Sequence, residues 1–248
     1  MSLINEDLKL KILKGNPILL QKTNAFFIHR TINEVIDFTY SEFLKIITLF
    51  NMSNEEIQKE SGIPMMTTFM YLLIIYSSNN YSSLIDSALK FFINAENVVS
   101  DMENKQFIFS CGNVTDIVLN EEGFKEILEY INIIYNGTFL EKEQDLSDAE
   151  RRMKEKFDRK RREREAAKRN SGTGNVGFSD MIGGFAVRNY NFDFKRVLEL
   201  PYYTFFFLLR KLRKYDDYEL QLKARLAGAD IKEDLQYWIS GDEDENDK

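Results

Sequence analysis

The stretch Ser147 to Arg169 (SDAERRMKEKFDRKRREREAAKR) constrains this chain more than any other. It has no Gly, no Pro and no β-branched residue, and its only large apolar side chains are Met153 and Phe157, spaced i, i+4. These residue types are strong helix formers. Ser147 and Glu150 make an S-x-x-E capping box, and Glu155 with Arg159 and Asp158 with Arg162 stand at the spacing of stabilising ion pairs. A helix polar nearly all round either bridges two bodies or lies over a surface. The chain is therefore read as mainly α, of the α+β class, in four parts. A mainly helical N-terminal domain with a few short strands fills 1–140, and a charged helical divider with a flexible linker fills 141–177. A small helical C-terminal domain fills 178–240, and 241–248 is a disordered acidic tail.

Charge follows the same division. Residues 151–169 hold eleven Lys and Arg against four Asp and Glu, a local +7, so the other residues together carry −14 within the chain's net −7. No stretch reaches the length needed to span a bilayer; the most apolar, 65–76 and 202–209, are too short. A single cysteine, Cys111, allows no intramolecular disulfide and fits a reducing compartment. The chain reads as soluble and cytoplasmic, with no membrane partner.

Along the N-terminal part, Leu8, Leu10 and Ile12 alternate with polar neighbours, a strand period. Lys14 to Pro17 reads as a turn, with 18–20 or 26–28 as the returning strand. Helix signals follow. Thr31 and Glu34 form a capping box, Ser41 is read as the cap of a helix bearing Phe43, Leu44, Ile46, Ile47 and Phe50, and Ser53 with Glu56 opens a helix that Gly62 and Pro64 close. The run 65–76 is apolar all round and predicts a buried helix, and Ser83 starts another. Two short strands are expected at 107–109 and 117–119. Asn120 caps an amphipathic helix through Phe124, Ile127, Leu128, Ile131 and Ile134, closed by Gly137. In the C-terminal part Ser179 and Asp193 are candidate caps, Pro201 suits a first turn, and Phe205, Leu208, Leu209 and Leu212 share one face. A separate helix is read around Tyr218, Leu222 and Leu226, ended by Gly228.

No motif carries catalytic chemistry. His29 and Cys111 are the only residues of their kinds, too few for a structural zinc site. The glycines at 172, 174 and 177 lack the phosphate-loop pattern and read as linker. The chain is read as a non-enzyme without metal or cofactor. Two binding surfaces are candidates. Arg151, Arg152, Arg159, Lys160, Arg161 and Arg162 form a basic surface that would neutralise nucleic-acid phosphates. The interleaved Glu155, Asp158, Glu163 and Glu165 favour a solvated, salt-bridged face instead. The aromatic run 202–212 reads either as core or as more than a small domain can cover; on the second reading some of Tyr203, Phe206 and Phe207 face a partner, with Phe205, Leu208, Leu209 and Leu212 as core, and Trp238 is a further candidate partner residue.

The run LPYYTFFFLLRKL at 200–212, the following 218–228 ending in ARLAG, and LQYWI at 235–239 resemble the C-terminal region of tail assembly proteins of long-tailed bacteriophages. In the N-terminal half TINE at 31–34, YSEFL at 40–44, Phe91 with Phe92, FIF at 107–109 and NEEGF at 120–124 are similar to the same group. The long basic divider departs from its compact members. This resemblance implies a non-enzymatic assembly chaperone of the host cytoplasm, whose client is an amphipathic helix of a tail component such as the tape-measure protein. The alternatives are a virion structural protein of the tail or baseplate, and a nucleic-acid-binding regulator using 151–169.

Overall fold

At six helix starts among the described residues a side chain accepts one of the first backbone N–H groups. The structure, a computed structural model, describes residues 6–78, 81–136, 177–189 and 193–228. The helices are α1 (Glu6–Lys14), α2 (Ile32–Asp37), α3 (Tyr40–Phe50), α4 (Asn54–Ser61), α5 (Thr68–Ser77), α6 (Ser82–Ile93), α7 (Glu121–Ile131, continued by a π turn over Asn132–Asn136), α8 (Phe178–Arg188), α9 (Phe194–Leu198) and α10 (Tyr202–Leu226). Strands β1 (Ile18–Leu19) and β2 (Phe26–Phe27) form an antiparallel pair, and β3 (Glu96–Asp101), β4 (Gln106–Cys111) and β5 (Val114–Leu119) an antiparallel meander. The fold is α+β and mostly helical. No helix among the described residues is long and apolar enough to cross a membrane.

The capping boxes at Thr31 and Ser53 are both formed. The Glu34 amide donates to Thr31 Oγ1 at 3.2 Å while the Thr31 amide donates to Glu34 Oε2 at 2.8 Å. The same exchange links Ser53 and Glu56. Asn120 Oδ1 accepts from the Gly123 amide at 2.9 Å, and Gly62 ends α4 in the left-handed conformation. Each N-cap satisfies an amide that the helix leaves without an internal partner, and the Gly62 amide donates to Gln58 O at the end of α4.

Several expectations are corrected. Leu8, Leu10 and Ile12 lie on a helix, α1, not a strand. Leu8 and Ile12 are also i, i+4, so a short segment satisfies both periods. Glu6 and Asp7 at its start and Lys11 and Lys14 at its end complement the helix dipole. The hairpin is built by β1 and β2 instead. The cap of α3 is Thr39, whose Oγ1 accepts from the Glu42 amide, rather than Ser41, which is already helical. The predicted strands at 107–109 and 117–119 lie within β4 and β5; β3 has no such signal in the sequence, because a bulge at Asn97 (φ 52°) breaks its alternation. The two helices expected between 201 and 228 are one helix of 25 residues, α10. The charged divider and the acidic tail lie outside the described residues.

One hydrophobic cluster runs through both halves of the chain, so 178–228 does not build a core of its own. Phe27, Phe43, Phe50, Phe69, Phe92, Phe107 and Phe109 are fully buried, and Phe205 joins them in the same cluster, with Ile182, Phe185, Val197, Tyr202 and Tyr203. Backbone and side-chain hydrogen bonds sew the junction. The Tyr202 amide donates to Arg30 O at 2.8 Å, the Ile32 amide to Leu200 O at 3.0 Å, and Thr204 Oγ1 to Leu13 O at 2.6 Å. Gly15, at φ +70°, lies so close that an added Cβ would stand 2.6 Å from Pro201 Cγ.

Arg30 holds this junction from the other side. Its Nε donates to Phe91 O at 2.7 Å and its Nη2 to Lys90 O at 3.0 Å and Asn94 Oδ1 at 2.7 Å, closing the carbonyls that end α6. Its Nη1 pairs with Glu34 at 3.0 Å, and its guanidinium lies 5.2 Å from the Phe91 ring centre. Burial alone would raise the Glu34 pKa; the Thr31 amide, the Thr31 hydroxyl and Arg30 together hold it below the usual range.

Two glycines predict opposite responses to one substitution. A Cβ on Gly123 would meet Thr23 Cγ2 at 2.5 Å and Leu119 Cδ1 at 3.2 Å, and both neighbours are buried. Gly123→Ala is expected to destabilise by about 1–3 kcal/mol through overpacking. Gly183 lies inside α8 with no described atom within 4 Å of such a Cβ, so Gly183→Ala should stabilise by roughly 0.5–1 kcal/mol from helix propensity. Urea midpoints moving in the same direction for both would contradict this placement.

Candidate partner-binding surface

The first turns of α10 enter the core, and the helix then leaves it. Pro201 precedes the helix with φ −55°, and the bonds to Leu13, Arg30 and Ile32 fix its start. Phe205 is fully buried against Phe185, ring centres 5.3 Å apart. Leu208, Leu209 and Leu212 are only partly buried against the core, and Leu212 is the last residue of α10 in that contact. Beyond it run about four further turns, roughly 21 Å at the helical rise.

This angle of entry changes which side chains are available. Tyr203, expected to face a partner, is 7% exposed and sits in the core. The reason is the anchoring of the helix start, which buries Tyr202, Tyr203 and Phe205 together rather than one stripe. For the same reason Leu208, Leu209 and Leu212 are less buried than expected. Phe206 and Phe207 are half-buried. Phe206 lies parallel to Phe178 (6.3 Å, 7°), which stacks in turn on Tyr40 (4.4 Å, 9°). Phe207 stacks on Tyr203 at 6.4 Å, with Lys211 Nζ 5.7 Å from its ring centre. Trp238 and the basic residues Arg151, Arg152, Arg159, Lys160, Arg161 and Arg162 lie outside the described residues.

The apolar side chains that form a continuous stripe in this region are others. Leu208, Leu212, Tyr215, Leu222 and Leu226 follow the alternating four- and three-residue steps of a helix-packing seam, with Glu219 at the intervening position. Exposure grows outward along it: Leu208 and Leu212 are half-buried, and Leu226 is 80% exposed. Beside α10, Val187 at the end of α8 is 83% exposed, in an open depression lined among the described residues by Gly183, Gly184, Val187 and Arg188. Arg188 ties α8 to α10 through Asp216 at 2.6 Å. The seam was legible in the sequence as a spacing, but the break read before Tyr218 hid its continuity.

The lone histidine and cysteine are not brought into a dyad. Cys111 Sγ donates to Ile93 O at 3.3 Å. His29 is buried edge-on to Phe27, and neither ring nitrogen has a hydrogen-bond partner among the described residues. Burial lowers its pKa from the ordinary 6.5 to about 4. The folded chain therefore binds this proton less readily than the unfolded chain. The resulting stability is fully present above pH 6.5 and is lost as pH falls toward 4, about 3 kcal/mol in all. His29→Leu should flatten that slope; an unchanged acid-side slope would contradict the assignment.

No group of His, Cys, Asp or Glu among the described residues is arranged to hold a metal ion. Comparison with protein-family models, with curated proteins and with solved structures finds no match.

Proposed function

We propose that this chain is a non-enzymatic assembly chaperone of the kind found in long-tailed bacteriophages, holding an amphipathic helix of a tape-measure-type client along α10. The observation that carries the reading is the seam from Leu208 to Leu226, which starts at the core and becomes exposed toward its end. An exposed apolar stripe on an anchored helix suits a client read at i, i+3, i+4 and i+7 positions. Phe206 and Phe207, half-exposed before the seam, extend the surface toward the core. The resemblance of the 200–212 and 218–228 sequences to tail assembly proteins supplies the class of client. The setting is the host cytoplasm.

Quantitative mass spectrometry of purified particles separates this reading from a structural role in the tail. A chaperone is absent or far below the copy number of tail proteins; a fixed stoichiometric copy number would make the chain a virion component.

A further inference from the structure

Along α10 the charge pattern changes sign halfway. Arg210, Lys211, Arg213 and Lys214 precede Tyr215, and Asp216, Asp217 and Glu219 follow it. Asp216 accepts from Arg188, and Glu219 accepts from Tyr215 and Lys223. Arg213 and Asp217 are exposed and form no ion pair with a described residue. They stand i, i+4 with the base first, the less favourable order for pairing within one helix. Arg210, Arg213, Asp217 and Leu220 share one face by helical spacing, and Leu220 is 69% exposed among these charges.

We propose that this face, opposite the seam, pairs with the same face of a second copy of the chain, the two α10 helices running antiparallel about a twofold axis at the height of residue 215 along the helix. That register sets Arg213 of one copy against Asp217 of the other, twice. It also sets Arg210 of one copy against Leu220 of the other, so that the arginine stem covers the exposed leucine. A contact of this kind is self-complementary, as a twofold interface must be. The parallel alternative opposes Arg213 to Arg213 and is repulsive. The pairing rests on the charge pattern of α10 and does not require a client. Being small and polar, the interface gives a weak association that salt screens.

Sedimentation equilibrium of the full chain over a range of concentrations tests it. The expected mass rises toward twice that of the monomer with concentration at low salt and falls back at high salt. Arg213→Glu and Asp217→Arg should each hold the chain monomeric, because like charges then face each other. The double variant Arg213→Glu, Asp217→Arg restores opposite charges and should restore the dimer. A chain monomeric at every concentration would overturn the proposal. So would a dimer indifferent to the single reversals, or a double variant that stays monomeric. Both positions are exposed, so circular dichroism of each variant should match the parent.

Discussion

Phe205→Ala should destabilise the whole chain by about 3–5 kcal/mol, the range for removing a large buried aromatic ring. Phe205 is fully buried, and its ring meets Phe185, Phe178 and Phe206. Because the same cluster includes Phe27, Phe43 and Phe92 from the N-terminal half, the loss should appear as a shift of one cooperative transition. Urea unfolding followed by far-ultraviolet circular dichroism would read it. If 178–228 folded independently, Phe205→Ala would instead move one of two separate transitions and leave the other in place. Leu209→Ala should cost less, since Leu209 is only partly buried.

The second large effect concerns binding. Leu222 and Leu226 are both exposed and lie one turn apart on the outer end of the seam. Changing both to Ser should leave stability within about 0.5 kcal/mol, as surface changes do. If these side chains anchor the client helix, truncating a hot spot costs about 2 kcal/mol or more, roughly 30-fold in affinity. Titration of a purified client helix against parent and variant would measure the difference. Equal affinities would move the binding surface away from this end of α10.

Whether an element is legible in the sequence depends on whether local chemistry or tertiary contact decides it. The helix starts at Thr31, Ser53 and Asn120 were legible because a cap is a local hydrogen bond between residues three apart. The α7 face was legible because Phe124, Ile127 and Ile131 repeat at the helical period. The sequence of α1 is ambiguous because nine residues satisfy two periods, and its contact with the start of α10 decides between them. Spacing alone cannot place Tyr203, because it assigns one buried stripe, whereas the bonds to Leu13 and Arg30 seat Tyr202, Tyr203 and Phe205 together in the core. The joined core was hidden because its link, Arg30 to Tyr202, spans distant parts of the sequence.

The chaperone reading is tested most directly by co-expressing the full chain with a tape-measure protein and measuring how much of that protein stays in the soluble fraction. The account predicts that the parent chain keeps the client soluble and co-purifies with it. The Leu222→Ser, Leu226→Ser variant, itself equally soluble, should leave the client in the pellet. A client whose solubility is the same with the parent chain, with the variant and with no chain at all would contradict the account.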